Sequence, residues 1–286
     1  MSPSHVEPLS RGTPVRDALD GAVTAIAAAG CETPRLDAQL LLAHALGVSR
    51  ERLLIDDLLV AGPAVRAFQD FVRRRSVLRE PVAYILGTRH FRRLELAVDR
   101  RALIPRPETE LLVEVALALP RGARVLDVGT GSGAVALALA DERPDLSVAG
   151  SDLSADALEL ARLNGERLGL DVRWLRANLL AGVSDEFDAI VSNPPYVRDD
   201  ERASLAPEIL RHEPLSALFA GPDGLDAIRR LVSQAAGRPS LETIVLEVGA
   251  GQAPGVGELM RAAGLQAVRV ERDLAGIERV VVGSRA

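Results

Sequence analysis

Val125-Leu126-Asp127-Val128-Gly129-Thr130-Gly131-Ser132-Gly133, followed at once by Ala134-Val135-Ala136-Leu137-Ala138-Leu139-Ala140, is the stretch from which the fold is read. An apolar strand runs into a glycine-rich loop, and the loop runs into a helix. Glycines in such a turn supply positive φ and let a ligand approach the backbone closely. The spacing is G-x-G-x-G, which differs from the G-x-G-x-x-G of a dinucleotide pyrophosphate loop. A second strand, Ser147 to Ser151, delivers Asp152 about 20 residues past the glycines, where an acidic residue can hold ribose hydroxyls. From Pro107 onward strands and helices alternate, which predicts a mainly parallel sheet covered on both faces. Strands are expected near 124–128, 147–152, 172–176, 187–192, 242–248, 266–271 and 277–283, the last two as a closing hairpin.

Downstream, Phe187-Asp188-Ala189-Ile190-Val191-Ser192 reads as a buried strand emptying into Asn193-Pro194-Pro195-Tyr196. The two prolines remove two N–H donors and stiffen the turn, leaving carbonyls free to accept. The Asn side chain adds an acceptor and the Tyr ring a flat face. Together they suit a planar NH2-bearing group, either an exocyclic base amine or a side-chain amide. Taken alone, the four residues read equally well as an Asn-Pro turn closing a strand.

The glycine loop, the acidic strand end and the Asn-Pro-Pro-Tyr strand end, in that order, resemble the class I S-adenosylmethionine-dependent methyltransferases that act on planar nitrogens. Ile104-Pro105-Arg106-Pro107-Glu108-Thr109-Glu110 narrows this, being similar to the I-P-R-P-x-T-E signature of the HemK/PrmC family of release factor N5-glutamine methyltransferases. Glu80 to Gly87, Glu213-Pro214, Asp223-Gly224-Leu225, and Leu246-Glu247-Val248-Gly249 with Gln252 also look like family segments. The resemblance implies an α/β fold, a Rossmann-like seven-stranded sheet with a smaller N-terminal helical bundle. It implies S-adenosylmethionine as cofactor, held by Gly129, Thr130, Gly131, Ser132 and Gly133, by Asp152 at the ribose, and by Arg106, Pro107, Thr109 and Asn193. Asp127 is placed near the cofactor's amino group, or else only orders the loop. Where the family has an Asp after the third strand, this chain has Asn178, followed by Leu179; these two are assigned to the adenine. The catalytic set is Asn193, Pro194 and Tyr196, with Pro195 completing the substrate turn. The implied substrate is the glutamine of the Gly-Gly-Gln loop in class I peptide chain release factors. Pro107 to Glu110 also reads as a helix start with Leu111, Leu112, Val115 and Leu117 as its apolar face.

The chain's 286 residues allow two domains, and 48% hydrophobic content supports a filled core. The division expected is an N-terminal helical recognition domain over 1–87, a hairpin linker over 88–104 and a methyltransferase domain over 105–286. Helical spacing runs from Val15 to about Leu86, while the first dozen residues read as mobile. A net charge of −6 argues against stable binding to nucleic acid. Arg73-Arg74-Arg75, Arg79, Arg92-Arg93 and Arg100-Arg101 read as a solvated face, with a docking surface for an acidic partner or RNA as the alternative. Cys31 is the single cysteine, and His5, His44, His90 and His212 lack metal-ligand spacing, so neither a disulfide nor a metal site is expected. No apolar run reaches the ~18 residues of a membrane span and no signal segment opens the chain, making the cytoplasm the default. A DNA adenine-N6 methyltransferase, a ribosomal-protein glutamine methyltransferase, a non-catalytic cofactor-binding regulator and a dinucleotide oxidoreductase are the competing readings.

Overall fold

The computed structural model describes residues 12–285, and the chain divides into two compact units. His5 and all of the first dozen residues except Gly12 lie outside the described residues. The first unit runs to Leu86 and also takes in Pro207–His212 from the second half of the chain. It contains β1 (Thr13–Pro14), α1 (Val15–Ala28), α2 (Pro34–Leu46), α3 (Arg50–Ile55), β2 (Leu59–Val60), α4 (Pro63–Ser76) and α5 (Val82–Leu86). Helical periodicity is met by a core built on Ile26, Ala38, Leu41, Leu42, Leu53 and Phe68. Gly47 ends α2 in the left-handed conformation, at φ 64°, that glycine adopts without strain. The short antiparallel pair β1 and β2 carries no alternating pattern and escapes a sequence reading.

Neither sequence reading of the Arg73 to Arg75 run describes Arg75, which is buried. Its Nε donates to Asp37 Oδ2 at 2.6 Å, and its Nη1 and Nη2 donate to Glu208 Oε1 at 3.2 Å. Arg79 Nη2 bonds the other oxygen of Glu208 at 2.5 Å. Arg74 is paired with Glu80 through two hydrogen bonds, and exposed Arg73 with Asp70. Ionic neutralisation inside the bundle therefore uses Glu208, which sits on the Pro207–His212 helix that joins it.

The second unit holds Gly87–Ala206 and Glu213–Ala286. It opens with the hairpin of β3 (Thr88–Phe91) and β4 (Leu94–Ala97). Then come α6 (Thr109–Ala116), β5 (Arg124–Val128), α7 (Ala134–Glu142), β6 (Ser147–Asp152), α8 (Ala155–Leu168), β7 (Arg173–Arg176) and β8 (Ala189–Ser192). After α9 (Pro207–His212) of the first unit follow α10 (Asp226–Ala236), β9 (Thr243–Glu247), α11 (Ala253–Ala262), β10 (Ala267–Arg272) and β11 (Glu278–Ser284). The sheet order is β10-β11-β9-β8-β5-β6-β7, with β11 antiparallel to both neighbours and the remaining pairs parallel. This is a Rossmann-like seven-stranded α/β sheet of the expected class.

Strand alternation splits the core into two layers. Val125, Val191, Val280 and Val282 face one side with α6 and α7; Leu126, Ile190, Val281 and Leu246 face the other with α10 and α11. The face that α6 buries is Thr109, Leu112, Val113 and Ala116. Leu111, Val115 and Leu117, expected on that face, are half-buried and pack at the edge of the same core, and the helix starts at Thr109, two residues beyond Pro107. The strand order reverses between β5 and β8, so the connections leaving their carboxyl ends part to opposite faces of the sheet and open a crevice, the usual ligand position in such sheets.

Glu208→Ala leaves Arg75 and Arg79 partly unneutralised in a buried setting and should cost about 3 kcal/mol of stability, read as a lowered denaturation midpoint. Asp70→Ala, removing a partner of an exposed pair, should cost less than about 0.5 kcal/mol in the same measurement.

Candidate active site

A cavity of about 520 Å³ lies at the carboxyl ends of β5, β6 and β8. That volume falls in the range of small-molecule and cofactor sites. Arg106, Thr109, Asp127, Gly129, Thr130, Gly131, Ser132, Asp152, Asn178, Leu179, Asn193 and Pro195 all line it. Pro107, Gly133, Pro194 and Tyr196 do not. Ala102, Leu103, Ser151, Phe219, Ala220, Gly221 and Arg230, none of which the sequence marks as site residues, are also part of the wall.

The glycine loop is shaped by a buried carboxylate. Asp127 Oδ2 accepts from Thr130 Oγ1 at 2.6 Å and from the Ala136 N–H at 3.2 Å, tying the loop to the first turn of α7. Burial pushes this carboxyl up to about 7, against the pull of those two donors. The backbone N–H groups of Gly129 and Thr130 both donate to the Ser151 carbonyl, at 2.8 and 2.9 Å. Gly129 and Gly131 take φ of 74° and 56° with open space where a Cβ would stand, apart from Ala102 3.7 Å from the Gly131 position. Gly133 has another task. A Cβ there would sit 2.9 Å from Trp174 Cη2 and 3.0 Å from Leu137 Cδ1, so the third glycine lets helix, strand and indole close-pack beneath the loop.

Asp152 ends β6 at the cavity mouth. Its Oδ2 accepts from the Gly131 N–H and its Oδ1 from the Ser154 N–H, both at 2.9 Å. Each oxygen keeps a lone pair for a ligand hydroxyl. Beside it, Ser151 Oγ is buried with no hydrogen-bond partner although Ser151 lines the cavity. A nucleoside with a vicinal diol fits this donor and acceptor set. Farther along, Asn178 Oδ1 accepts from Arg230 at 3.0 Å, so that oxygen is partly engaged, and Leu179 takes a φ of 56°.

The end of β8 is held on both sides. Ser192 Oγ donates to the Val128 carbonyl at 2.6 Å, which joins the β8 and β5 ends. Asn193 Nδ2 donates to Thr109 Oγ1 at 3.0 Å, so its Oδ1 is the atom left to accept. The Tyr196 ring, expected to cover a substrate, packs away from the cavity: its hydroxyl donates to Glu247 Oε1 at 3.2 Å and its carbonyl accepts from Gln252 Nε2 at 3.0 Å. Burial first, and then the Glu247 carboxylate, push its phenol well above the usual range. Gly224 and Gly249 make room there, since a Cβ would lie 2.2 Å from the Tyr196 carbonyl oxygen and 3.2 Å from Tyr196 Cδ2 respectively.

Arg106 Nη2 donates to Glu213 Oε1 at 2.7 Å, and Glu213 Oε2 accepts from the Ile104 N–H at 3.1 Å. The buried Glu213 thus fixes both the backbone and the guanidinium of the Ile104 to Glu110 stretch.

Residues 17–87 match the model of the PrmC N-terminal domain, and residues 107–218 that of the methyltransferase small domain. A release factor glutamine methyltransferase of Deinococcus radiodurans is 44% identical over 95% of this chain and 99% of its own length. One of Rhodospirillum rubrum is 41% identical over 93% of this chain and 84% of its own. Among solved structures, a methyltransferase from Pyrococcus furiosus superposes with a TM-score of 0.52 at 18% identity, covering 68% of this chain and 89% of that one. The hMettl16 catalytic domain, in complex with the MAT2A 3'UTR hairpin 6, gives 0.55 at 16% identity over 78% and 82%. These two establish the fold.

Gly129→Ala should cost about 1 kcal/mol through its positive φ alone. Gly133→Ala should cost about 1–3 kcal/mol more, because its Cβ must displace Trp174 and Leu137. Thermal unfolding of the two variants side by side measures the difference.

Proposed function

The chain belongs to the release factor glutamine methyltransferase family, and from that premise we propose the roles of its site residues. It is an S-adenosylmethionine-dependent protein-glutamine methyltransferase that methylates release factors. The substrates within that group are class I release factors, modified at N5 of the glutamine in their Gly-Gly-Gln loop. The folded release factor is recognised by residues 1–87, joined through 88–104 to the catalytic part at 105–286. No stable binding to nucleic acid belongs to this reading, and the cytoplasm is its location. Among the described residues no helix is long and apolar enough to cross a membrane.

The observation that carries the site assignment is the polarity of Asn193. With Nδ2 donating to Thr109, Oδ1 is the end of the Asn193 amide left as an acceptor, and Asn193 lines the cavity, where an acceptor suits an NH2 group. A glutamine amide nitrogen is a weak nucleophile because its lone pair is delocalised into its carbonyl. Asn193 Oδ1 and the Pro194 carbonyl accept the two amide hydrogens, which orients the nitrogen and raises its electron density. Pro194 and Pro195 hold these acceptors rigid, so little reorganisation is needed at the moment of reaction. Tyr196 excludes water from the turn. Asp152 holds the ribose hydroxyls; Gly129, Thr130, Gly131 and Ser132 border the methionine part; Asn178 and Leu179 border the adenine. Arg106 and Thr109 flank the cofactor, Pro107 shapes the stretch between them from outside the cavity lining, and Gly133 supports the loop from beneath. The cofactor supplies an electrophilic methyl group on a sulfonium. The amide nitrogen would take that methyl as the sulfonium–methyl bond breaks to leave a neutral thioether, and would then release one proton to solvent, with no covalent enzyme intermediate.

Labelled methyl from S-adenosylmethionine should appear on an intact release factor and not on a Gln→Ala version of its Gly-Gly-Gln loop. Label on neither, with cofactor still bound, would refute the substrate assignment and turn attention to duplex DNA and ribosomal protein. Asn193→Ala should lower turnover by about 100-fold or more while cofactor affinity changes little. Asp152→Ala should do the reverse, weakening cofactor binding in a calorimetric titration.

A further inference from the structure

Glu247 ends β9 beside the Asn193 to Tyr196 turn and is 1% exposed. One of its oxygens accepts from the Tyr196 hydroxyl; the other, Oε2, is buried without a hydrogen-bond partner. A carboxylate taken out of water and left half-satisfied is costly, so its retention asks for a reason. Thr109 presents the complementary half. Its hydroxyl accepts from Asn193 Nδ2, and its own proton must go elsewhere. Thr109 is 4% exposed on α6, which packs against β9, and its hydroxyl is among the groups that pull the Glu247 carboxyl down against the effect of burial.

We propose that Glu247 is a positioning residue: its free oxygen takes the Thr109 hydroxyl proton, which commits Thr109 to accept from Asn193 and leaves Asn193 Oδ1 facing the substrate amide. This rests on the function proposed above. A side-chain amide is pseudo-symmetric, so an Asn in a cavity can turn either of its ends inward at little steric cost. Turned the wrong way, Asn193 sets its own NH2 against the NH2 of the substrate, two donors with no acceptor between them. The chain Glu247, Thr109, Asn193 removes that choice, since each hydroxyl has one proton and the carboxylate has none. The last member, Asn193, touches the substrate; the first acts only through the other two.

The arrangement requires an ionised Glu247. Burial raises its carboxyl to about 7, with Glu108 ahead of α6 pushing the same way. The Thr109 and Tyr196 hydroxyls and the Arg279 guanidinium on β11 oppose the rise. Below that pH the acid gains a proton, becomes a donor toward Thr109, and the polarity of the chain is no longer set. Asp127 titrates in the same range but shapes the cofactor loop, so its effect shows in cofactor affinity and not in turnover at saturating cofactor.

The test is kcat for methyl transfer to an intact release factor at saturating S-adenosylmethionine, as a function of pH, for wild type, E247Q, T109V and the double variant. Wild type should lose turnover as pH falls through about 7. E247Q should lower kcat roughly 10- to 100-fold and abolish that limb, with cofactor affinity and melting temperature held. The double variant should be no slower than T109V alone, because Glu247 acts through Thr109. Additive losses, an unchanged acid limb in E247Q, or a kcat loss that tracks lost cofactor binding or melting temperature would each overturn the proposal. Wild-type enzyme that transfers no methyl to the release factor sinks the functional reading and this inference with it.

Discussion

Asp127 is the constraint on which the cofactor side of this molecule depends. A carboxylate on the central strand, 1% exposed, would be too costly to keep without strong donors. Its donors are the Thr130 hydroxyl and the Ala136 N–H, which lie on the loop and on the helix that follows. Satisfying Asp127 therefore dictates where the loop turns and where α7 begins. With the loop so held, Gly131 presents its N–H to Asp152, and the ends of β5 and β6 become one surface. Positive φ at Gly129, Gly131 and Gly133 is what lets the backbone make that turn.

Strand ends on the substrate side follow the same rule with different chemistry. Ser192 ties β8 to β5, Glu247 caps β9 under the Tyr196 hydroxyl, and Gln252 clamps the Tyr196 and Asp223 carbonyls and the Gly249 N–H. Polar side chains at the carboxyl ends of adjacent parallel strands satisfy backbone groups that the sheet leaves open. In doing so they hold the Asn193 to Tyr196 turn from behind, and the prolines hold it from within. A turn supported on both sides can present acceptors at fixed positions, which the weak nucleophilicity of an amide demands.

Local patterns were legible where local chemistry produces them. The G-x-G-x-G loop, Asp152 at the end of its strand and the Asn-Pro-Pro-Tyr turn each depend on neighbours within a few residues, and each is found where the strand pattern put it. Contacts across long separations leave no such trace. Nothing near Glu208 in the sequence signals that it neutralises Arg75 and Arg79, some 130 positions away. Nor does Arg75, within a run of three arginines, differ in any local way from exposed Arg73. The sequence presents Tyr196 as a flat face for substrate because its partner Glu247 is 51 positions distant. Gly133, grouped with the cofactor-side glycines by the family resemblance, is explained by Trp174 and Leu137, which pack against it.

The contrast between Gly133 and Asn193 separates two meanings of a motif residue. Gly133 is required by what packs against it, and any close-packed indole at that place would demand the same absence of a side chain. In the proposed reaction Asn193 is required by the direction in which its dipole points, which packing alone cannot set because its two ends have nearly the same shape. Direction has to come from proton bookkeeping along a chain of hydrogen bonds, ending at a group whose polarity is unambiguous. A buried carboxylate is such a group so long as it stays ionised, and the nearby Arg279 guanidinium favours that form. The cost of burying Glu247 is thus understandable as the source of polarity for a site whose substrate and whose key side chain are both amides.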